Sequence, residues 1–213
     1  MKSEKKKIIK PKLMLVEGKD DSGFFNYALN HYGLDDVQTM EFDGKDNFRG
    51  FILELVKRYG FEDILTLVVC RDADTDKSPT DAFLSVSDSL KAAGLPQPAE
   101  PFVFTSELPK VAIIIMPGYD TTSSTPTLRP GALEDLCLEI VKEKSVLECV
   151  DNFLECVRTR HHSPEREHKS KLHAYLSMVE EHAGDKLGEA SSKGAFDYDH
   201  PAMQDFKKII KSM

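Results

Sequence analysis

The sequence lacks any apolar run long enough to cross a membrane. Its longest uninterrupted apolar stretch is residues 111–116, whereas a spanning helix needs about 20 apolar residues. The lysine-rich start also lacks the apolar core of a secretory signal peptide. We therefore expect a cytoplasmic protein with no membrane partner.

Cysteine is scarce, and no two cysteines have the CxxC spacing of a zinc ribbon or a redox dithiol. The chain has four cysteines, Cys70, Cys137, Cys149 and Cys156, and each lies in an apolar strand or helix pattern. These patterns predict buried thiols. Four histidines between residues 161 and 173 match no familiar zinc pattern with Cys156.

An excess of positive charge is also missing. The net charge is −8, from 28 basic and 36 acidic residues, which argues against a general coat of nucleic-acid contacts. Two stretches are locally basic: residues 1–12 hold six lysines and one glutamate, and residues 158–173 hold five Arg or Lys and two Glu. We interpret them as a frayed tail and a solvated helix face, with phosphate contact as the alternative.

Apolar patterns in the first half of the chain alternate between strand and helix. This alternation predicts an α/β fold of Rossmann-like type, with a mainly parallel central sheet and helices on both faces. Beyond residue 131 the pattern is wholly helical. We divide the chain into a basic tail (1–11), an α/β core (12–131) and an all-helical extension packed on the core (132–213). The predicted strands are residues 12–16, 37–42, 64–70, 102–105 and 111–116.

Three local features refine this picture. Ser78-Pro79 predicts a helix cap with proline at the first helical position. The strands at 102–105 and 111–116 are close enough in sequence to pair as a hairpin. Residues 117–131 are rich in Ser, Thr, Pro and Gly, so we expect a loop that is either a lid over a site or disordered.

The stretch ILTLVVCRDADTD, residues 64–76, joins a buried strand to three aspartates. Asp72, Asp74 and Asp76 alternate, so an extended backbone would direct their carboxylates to one side. Carboxylates that close repel one another unless a cation lies between them, and oxygen ligands favour Mg²⁺ or Mn²⁺. The pattern predicts a metal site at the carboxyl end of a central strand.

Two familiar aspartate motifs fit this stretch poorly. A calcium-binding EF-hand loop starting at Asp72 would need glycine at Lys77 and glutamate at Phe83. A haloacid-dehalogenase-like phosphatase shares Asp72-x-Asp74, but that family expects Thr or Val at the position of Asp76 and usually carries the motif on its first strand.

A second acidic motif, Glu17-Gly18, follows the first predicted strand. Together with Asp72-x-Asp74 it resembles the signature of the Toprim domain, which is shared by topoisomerases, DnaG-type primases, RecR-type repair proteins and overcoming-lysogenization-defect (OLD) nucleases. The resemblance covers about residues 12–116. It implies that Glu17, Asp72 and Asp74 meet at the carboxyl edge of the sheet and hold Mg²⁺ or Mn²⁺, and that Glu17 also moves a proton.

Within this superfamily the chain resembles small stand-alone proteins related to the OLD type. It has no room for a topoisomerase tyrosine domain and no cysteine-based zinc module. The resemblance implies a further acidic ligand on a helix after a loop, where Glu134 stands, and Asp21 and Asp76 are additional candidate ligands. It also implies a lysine from the C-terminal part that steadies phosphate charge. The candidates for this lysine are Lys169, Lys171 and Lys193.

The resulting functional hypothesis is a Mg²⁺-dependent phosphodiester hydrolase, most simply a nuclease acting on DNA or RNA. The alternative is a non-catalytic Toprim-like subunit of a nucleic-acid or phage-defence complex, with a protein partner or a second copy of the chain. Each acid also has a structural explanation: Glu17 and Glu134 as acids at helix starts, and the aspartates as a solvated turn.

Overall fold

A four-stranded parallel sheet lies at the centre of the computed structural model, which describes residues 7–75, 78–120, 125–162 and 164–213. The strands are β1 (Lys12–Val16), β2 (Val37–Glu41), β3 (Thr66–Asp72) and β4 (Lys110–Met116). Their order is β2-β1-β3-β4, and every neighbouring pair is parallel. A short antiparallel pair, β5 (Tyr119–Asp120) and β6 (Thr127–Leu128), follows the sheet. The predicted α/β class is confirmed.

Eight α-helices are present in the described residues, three of them among the strands and five after them. The first three are α1 (Lys19–His31), α2 (Phe48–Leu55) and α3 (Pro79–Ala92). The remaining five are α4 (Leu133–Ile140), α5 (Val146–Thr159), α6 (Glu167–Met178), α7 (Leu187–Ser192) and α8 (Gln204–Lys211). Short 3-10 helices span Lys45–Asn47, Phe61–Asp63, Glu180–His182 and Pro201–Met203.

Alternate strand residues build two cores, one on each face of the sheet. Leu13, Leu15 and their equivalents on β3 and β4 pack against α2 and α3. Met14, Val16 and their equivalents pack against α1 and the helices after residue 132. Because both faces are covered, the strands are almost continuously apolar, as expected of a parallel sheet. The core on the α1 face contains residues from both sides of the predicted boundary at residue 131. The division of the chain into a core and an extension stays a prediction.

The predicted start of α3 matches the structure, and α1 begins with a comparable cap. Ser78 Oγ accepts a hydrogen bond from the backbone N–H of Thr80 at 3.3 Å, and Pro79 is the first residue of α3. Asp21 Oδ2 accepts one from the backbone N–H of Gly18 at 3.1 Å, which satisfies a free donor at the start of α1.

The predicted hairpin of strands 102–105 and 111–116 is wrong. Only the second segment is a strand, and it pairs in parallel with β3. Phe102 has φ +60°, so the chain is not extended there. Residues 102 and 105 nevertheless donate single backbone hydrogen bonds to Ile113 and Val111, each at 2.9 Å.

The prediction of four buried cysteines is also partly wrong. Cys70 and Cys137 are buried, whereas Cys149 and Cys156 are exposed on α5. That helix buries Leu147, Val150 and Leu154, and its cysteines lie outside this stripe.

Two lysines at the boundary of the predicted tail and core are tied to residues at the start of β2. Lys10 Nζ donates to the backbone oxygen of Val37 at 3.0 Å, and Lys12 forms an ion pair with Asp36 at 2.7 Å. Residues 1–6 lie outside the described residues. In the described part of the chain, no helix has the length and hydrophobicity needed to span a membrane.

Candidate functional site

The two acidic motifs meet at the carboxyl edge of the sheet. Glu17 directly follows β1, and Asp72 ends the neighbouring strand β3. Glu17 Oε1 accepts a hydrogen bond from the backbone N–H of Asp72 at 3.1 Å. The structure therefore places Glu17 against the Asp72-x-Asp74 segment, as the sequence predicts.

The chain does not stay extended beyond Asp72, contrary to our expectation for the alternating aspartates. Asp74 has φ +61° and forms an isolated antiparallel bridge with Gly131. Its backbone N–H donates to Gly131 O at 2.9 Å, and its carbonyl accepts from Gly131 N at 3.0 Å. Asp76 lies outside the described residues. Asp72 and Asp74 consequently have different partners.

Asp72 faces the start of α4. Its Oδ1 accepts a hydrogen bond from the backbone N–H of Leu133 at 3.1 Å, a favourable arrangement for an anion at a helix N-terminus. The next residue, Glu134, is buried, and its Oε1 lies 2.9 Å from Lys169 Nζ. Glu134 and Asp72 line the same cavity of about 440 Å³.

Asp74 has cations for neighbours instead. Its Oδ2 accepts from Lys45 Nζ at 2.8 Å and lies 4.0 Å from Nη2 of Arg71. Arg71 is buried, and its Nε lies 2.9 Å from Glu17 Oε1. This contact is an ion pair without the alignment of a hydrogen bond, because Arg71 Nε has no hydrogen-bond partner among the described residues.

Asp21, in the first turn of α1, completes the group of acids. Its Oδ2 caps the helix, whereas its Oδ1 is buried without a hydrogen-bond partner among the described residues. It lines the same 440 Å³ cavity as Glu17, Asp72 and Glu134. We call these five residues the acid cluster: Glu17, Asp21, Asp72, Asp74 and Glu134.

Burial and mutual repulsion favour protonated carboxyl groups in this cluster. Burial, followed by the charges of Asp21 and Glu17, raises the pKa of Asp72 well above its usual range. Burial and the charge of Glu17 raise the pKa of Asp21 to about 7. Burial also raises the pKa of Glu17, although Arg71 opposes the shift. A bound cation would favour the ionised forms of all three.

Of the three candidate lysines, Lys169 is the one that the structure brings to the site. Burial lowers its pKa, but the hydrogen bond and charge of Glu134 outweigh this and leave the pKa raised. Lys171 forms an ion pair with Asp151, and Lys193 one with Asp185. Neither lines the described clefts beside the acid cluster. The structure therefore places Lys171 and Lys193 away from the acid cluster, where each pairs with a different acid, and places Lys169 at the cluster.

A cleft of about 790 Å³ opens over the acid cluster. Its other walls come from residues 43–47, after β2, and residues 165–169, at the start of α6. Sequence reasoning missed Lys45 and Arg71. Both could have been found from their positions in the sequence. Arg71 directly precedes Asp72, and Lys45 follows a strand that was predicted to be parallel, so both were expected at the carboxyl edge of the sheet.

The donor chemistry of the cluster fits a hard divalent cation, since every ligand is a carboxylate. The buried, unpartnered Oδ1 of Asp21 supports this fit. In the arrangement described, however, no three Asp, Glu, His or Cys side chains of residues 7–75, 78–120, 125–162 and 164–213 are grouped as a ligand set. Glu17 and Glu134 instead contact Arg71 and Lys169, so an ion would require at least one of them to reorient.

A family model described as protein of unknown function (DUF3226) matches residues 11–213, and the chain belongs to this family. Among solved structures, it is similar to hypothetical protein PH0156 from Pyrococcus horikoshii OT3, with 16% identity and a TM-score of 0.54 over 96% of this chain and 95% of that one. At this identity the similarity shows the fold. The C-terminal region of the Xanthomonas campestris pv. campestris OLD protein also matches, with 13% identity and a TM-score of 0.48 over 96% and 95% of the two chains. No curated protein matches.

Proposed function

We propose that the protein is a Mg²⁺- or Mn²⁺-dependent phosphodiester hydrolase of Toprim or OLD-like type that acts on nucleic acid. The observation that carries the proposal is the cavity at the acid cluster: Glu17, Asp72 and Glu134 line it together with Asp21, whose buried Oδ1 has no hydrogen-bond partner among the described residues. Such a cluster is costly unless a ligand or protons neutralise it. The resemblance of Glu17-Gly18 and Asp72-x-Asp74 to the Toprim motifs supports the same function.

Asp21, Asp72 and Glu134 would hold the ion, and Glu17 lies beside them in the same cavity. When bound, Mg²⁺ would polarise a phosphoryl oxygen and lower the pKa of a water molecule. The raised pKa of Glu17 makes its carboxylate a stronger base and therefore a better proton acceptor. Arg71 fixes the Glu17 carboxylate through its buried guanidinium.

The cleft also supplies charges for a phosphate group. Lys169 and Arg166 line one wall, and Lys45 lines another. When Glu134 turns toward an ion, Lys169 would be released to neutralise phosphate charge in the transition state. The loop segment at Gly131 lines the cleft as well.

The test combines metal binding with nucleic-acid cleavage. Mn²⁺ binding is measured by calorimetry, and single- and double-stranded DNA and RNA are then incubated with the protein and Mg²⁺ or Mn²⁺. Asp72→Asn should lose both Mn²⁺ binding and cleavage. The asparagine side-chain oxygen can still accept the hydrogen bond from the backbone N–H of Leu133. Asp36→Asn is the control, since Asp36 pairs with Lys12 and is not part of the cluster. Unchanged Mn²⁺ binding and cleavage in Asp72→Asn would falsify the proposal.

A non-catalytic binding subunit is the second candidate. It is favoured by the three cations, Arg71, Lys45 and Lys169, that already neutralise part of the cluster. Retention of nucleic acid or of a protein partner, without cleavage of any tested DNA or RNA, would select this function.

The phosphatase interpretation requires Asp72 as an ionised nucleophile. Its burial and raised pKa oppose that role. The interpretation predicts hydrolysis of a generic phosphomonoester through a covalent aspartyl-phosphate, which mass spectrometry of a quenched reaction would detect.

A further inference from the structure

We propose that Arg71, assisted by Lys45, occupies the place of a second metal ion, so that the site binds one divalent cation per chain. The ion belongs on the side of the acid cluster formed by Asp21, Asp72 and Glu134. This inference rests on the proposed metal-dependent function and adds to it the number and the position of the ions.

Arg71 is a permanent internal cation. A guanidinium group remains charged at any pH at which the protein is folded, and Arg71 is only 8% exposed. It lies between two acids of the cluster, 2.9 Å from Glu17 Oε1 and 4.0 Å from Asp74 Oδ2. Burying such a charge is unfavourable unless acids surround it. Arg71 therefore balances the charge of Glu17 and Asp74 as an ion between them would.

Lys45 reinforces this arrangement from the solvent side. Its Nζ lies 2.8 Å from Oδ2 of Asp74, the same oxygen that faces Arg71. A metal ion bound to that oxygen would meet two positive charges within a few ångström. Repulsion at such distances is strong in a partly buried site. The side of the cluster at Glu17 and Asp74 is thus already occupied by protein cations.

The other side of the cluster retains negative charge. Among the described residues, the ion pair found there is that of Glu134 with Lys169. Asp21 is 8% exposed, and its buried Oδ1 has no hydrogen-bond partner in the same part of the chain. Among the described residues, the three carboxyl groups of this side, Asp21, Asp72 and Glu134, are met by one ion-paired cation, Lys169, which leaves two negative charges when all three are ionised. One divalent ion supplies the missing charge.

The test counts bound Mn²⁺ by electron paramagnetic resonance of the free ion and by calorimetry. The wild-type protein should bind one ion per chain in this cleft. Arg71→Met, which removes the charge but keeps an unbranched apolar stem, should bind two, because Glu17 loses its cation and Asp74 keeps only the more exposed Lys45. Arg71→Lys retains a cation and should bind one. Two ions in the wild type, or one ion in a folded Arg71→Met, would overturn the inference and leave a metal-dependent function intact.

A second pair of variants keeps the inference testable if Arg71→Met does not fold. Asp21→Asn should weaken the binding of the single ion by about tenfold or more. Asp74→Asn should leave its affinity largely unchanged, and asparagine tolerates the left-handed backbone at this position. The reverse pattern would place the ion beside Arg71 and contradict the inference. Absence of Mn²⁺ binding by the wild-type protein would refute both the inference and the proposed function.

Discussion

The carboxylate of Glu17 accepts a hydrogen bond from the backbone N–H of Asp72, 55 residues further along the chain. This contact joins the two acidic motifs directly, through the main chain of one and the side chain of the other. Because β1 and β3 are adjacent parallel strands, both motifs leave the sheet at the same edge. The contact fixes Glu17 before any ligand arrives.

The stability of the metal-free protein should fall as pH rises from about 4 to about 7, in part because of Asp21. The folded state raises the pKa of Asp21 from 3.8 to about 7, so it retains a proton that the unfolded chain releases. The stabilising contribution is complete below the unfolded pKa and is lost as pH rises toward the folded one. Urea unfolding in EDTA at several pH values measures the slope. Asp21→Asn should flatten it, Asp36→Asn should not, and an equally steep Asp21→Asn profile would contradict the assignment.

Replacement of Lys169 should separate metal affinity from cleavage. Lys169→Met removes the cation that contacts Glu134, so Mn²⁺ should bind more tightly in calorimetry. If the proposed function holds, cleavage should become slower by about 10²-fold or more, since the charge proposed to stabilise the transition state is lost. Lys171→Met is a matched control, because Lys171 pairs with Asp151 instead; it should change neither quantity. Weaker Mn²⁺ binding in Lys169→Met would mean that Lys169 supports the ligands and does not compete with the ion.

The crossing of α1 and α7 should not tolerate a side chain at Gly23. A Cβ atom there would lie 2.5 Å from Gly188 O and 2.6 Å from Gly188 Cα, both backbone atoms. Gly23→Ala should therefore destabilise the protein by about 1–3 kcal/mol. Gly50→Ala, on α2, meets no atom within 4 Å and should be neutral or stabilising by up to about 1 kcal/mol. Urea denaturation of the two variants gives the comparison, and equal stabilities would show that the helices do not cross this closely.

The four thiols should react in two classes. Cys149 and Cys156 are exposed and should react rapidly with a disulfide reagent in the native protein. Cys70 and Cys137 are fully buried, and burial raises the pKa of both thiols well above the usual value. They should react only after unfolding. The folded Cys149→Ser, Cys156→Ser double variant should therefore react hardly at all with a chromogenic disulfide reagent. Substantial reaction before unfolding would contradict the buried positions of Cys70 and Cys137.

The sheet could be predicted from the sequence because its physical signal is strong. β1 and β3 are continuous apolar runs that end in acid, and the alternation with helices leaves few topologies. The segment at 102–105 was misassigned because apolar composition does not reveal a residue with positive φ, such as Phe102. Cys149 and Cys156 were predicted to be buried because the α5 sequence around them is apolar. They lie outside the stripe of Leu147, Val150 and Leu154 that packs against the core.

The acids of the site could be predicted because closely spaced acidic residues directly after apolar strands are recognisable in a sequence, and their mutual repulsion implies a cation. Their cations could not be predicted in the same way, since lysine and arginine are common and mark no particular place. Lys169 and Lys171 are separated by two positions, yet one lines the cleft and the other pairs with Asp151. The difference depends on how α6 is rotated against α4 and α5, which the helical period of its apolar residues does not fix closely enough.

The double hydrogen bond between Asp74 and Gly131, together with the bond from Leu133 to Asp72, has a further consequence. The segment that begins at Gly131 holds Asp72 and Asp74 in position through these three hydrogen bonds. A fragment ending before Gly131 would retain all four strands of the parallel sheet but lose the partners that position both aspartates. The strand-and-helix half of the chain therefore does not contain the complete site, and a fragment that keeps the site must extend at least through α6, which carries Lys169.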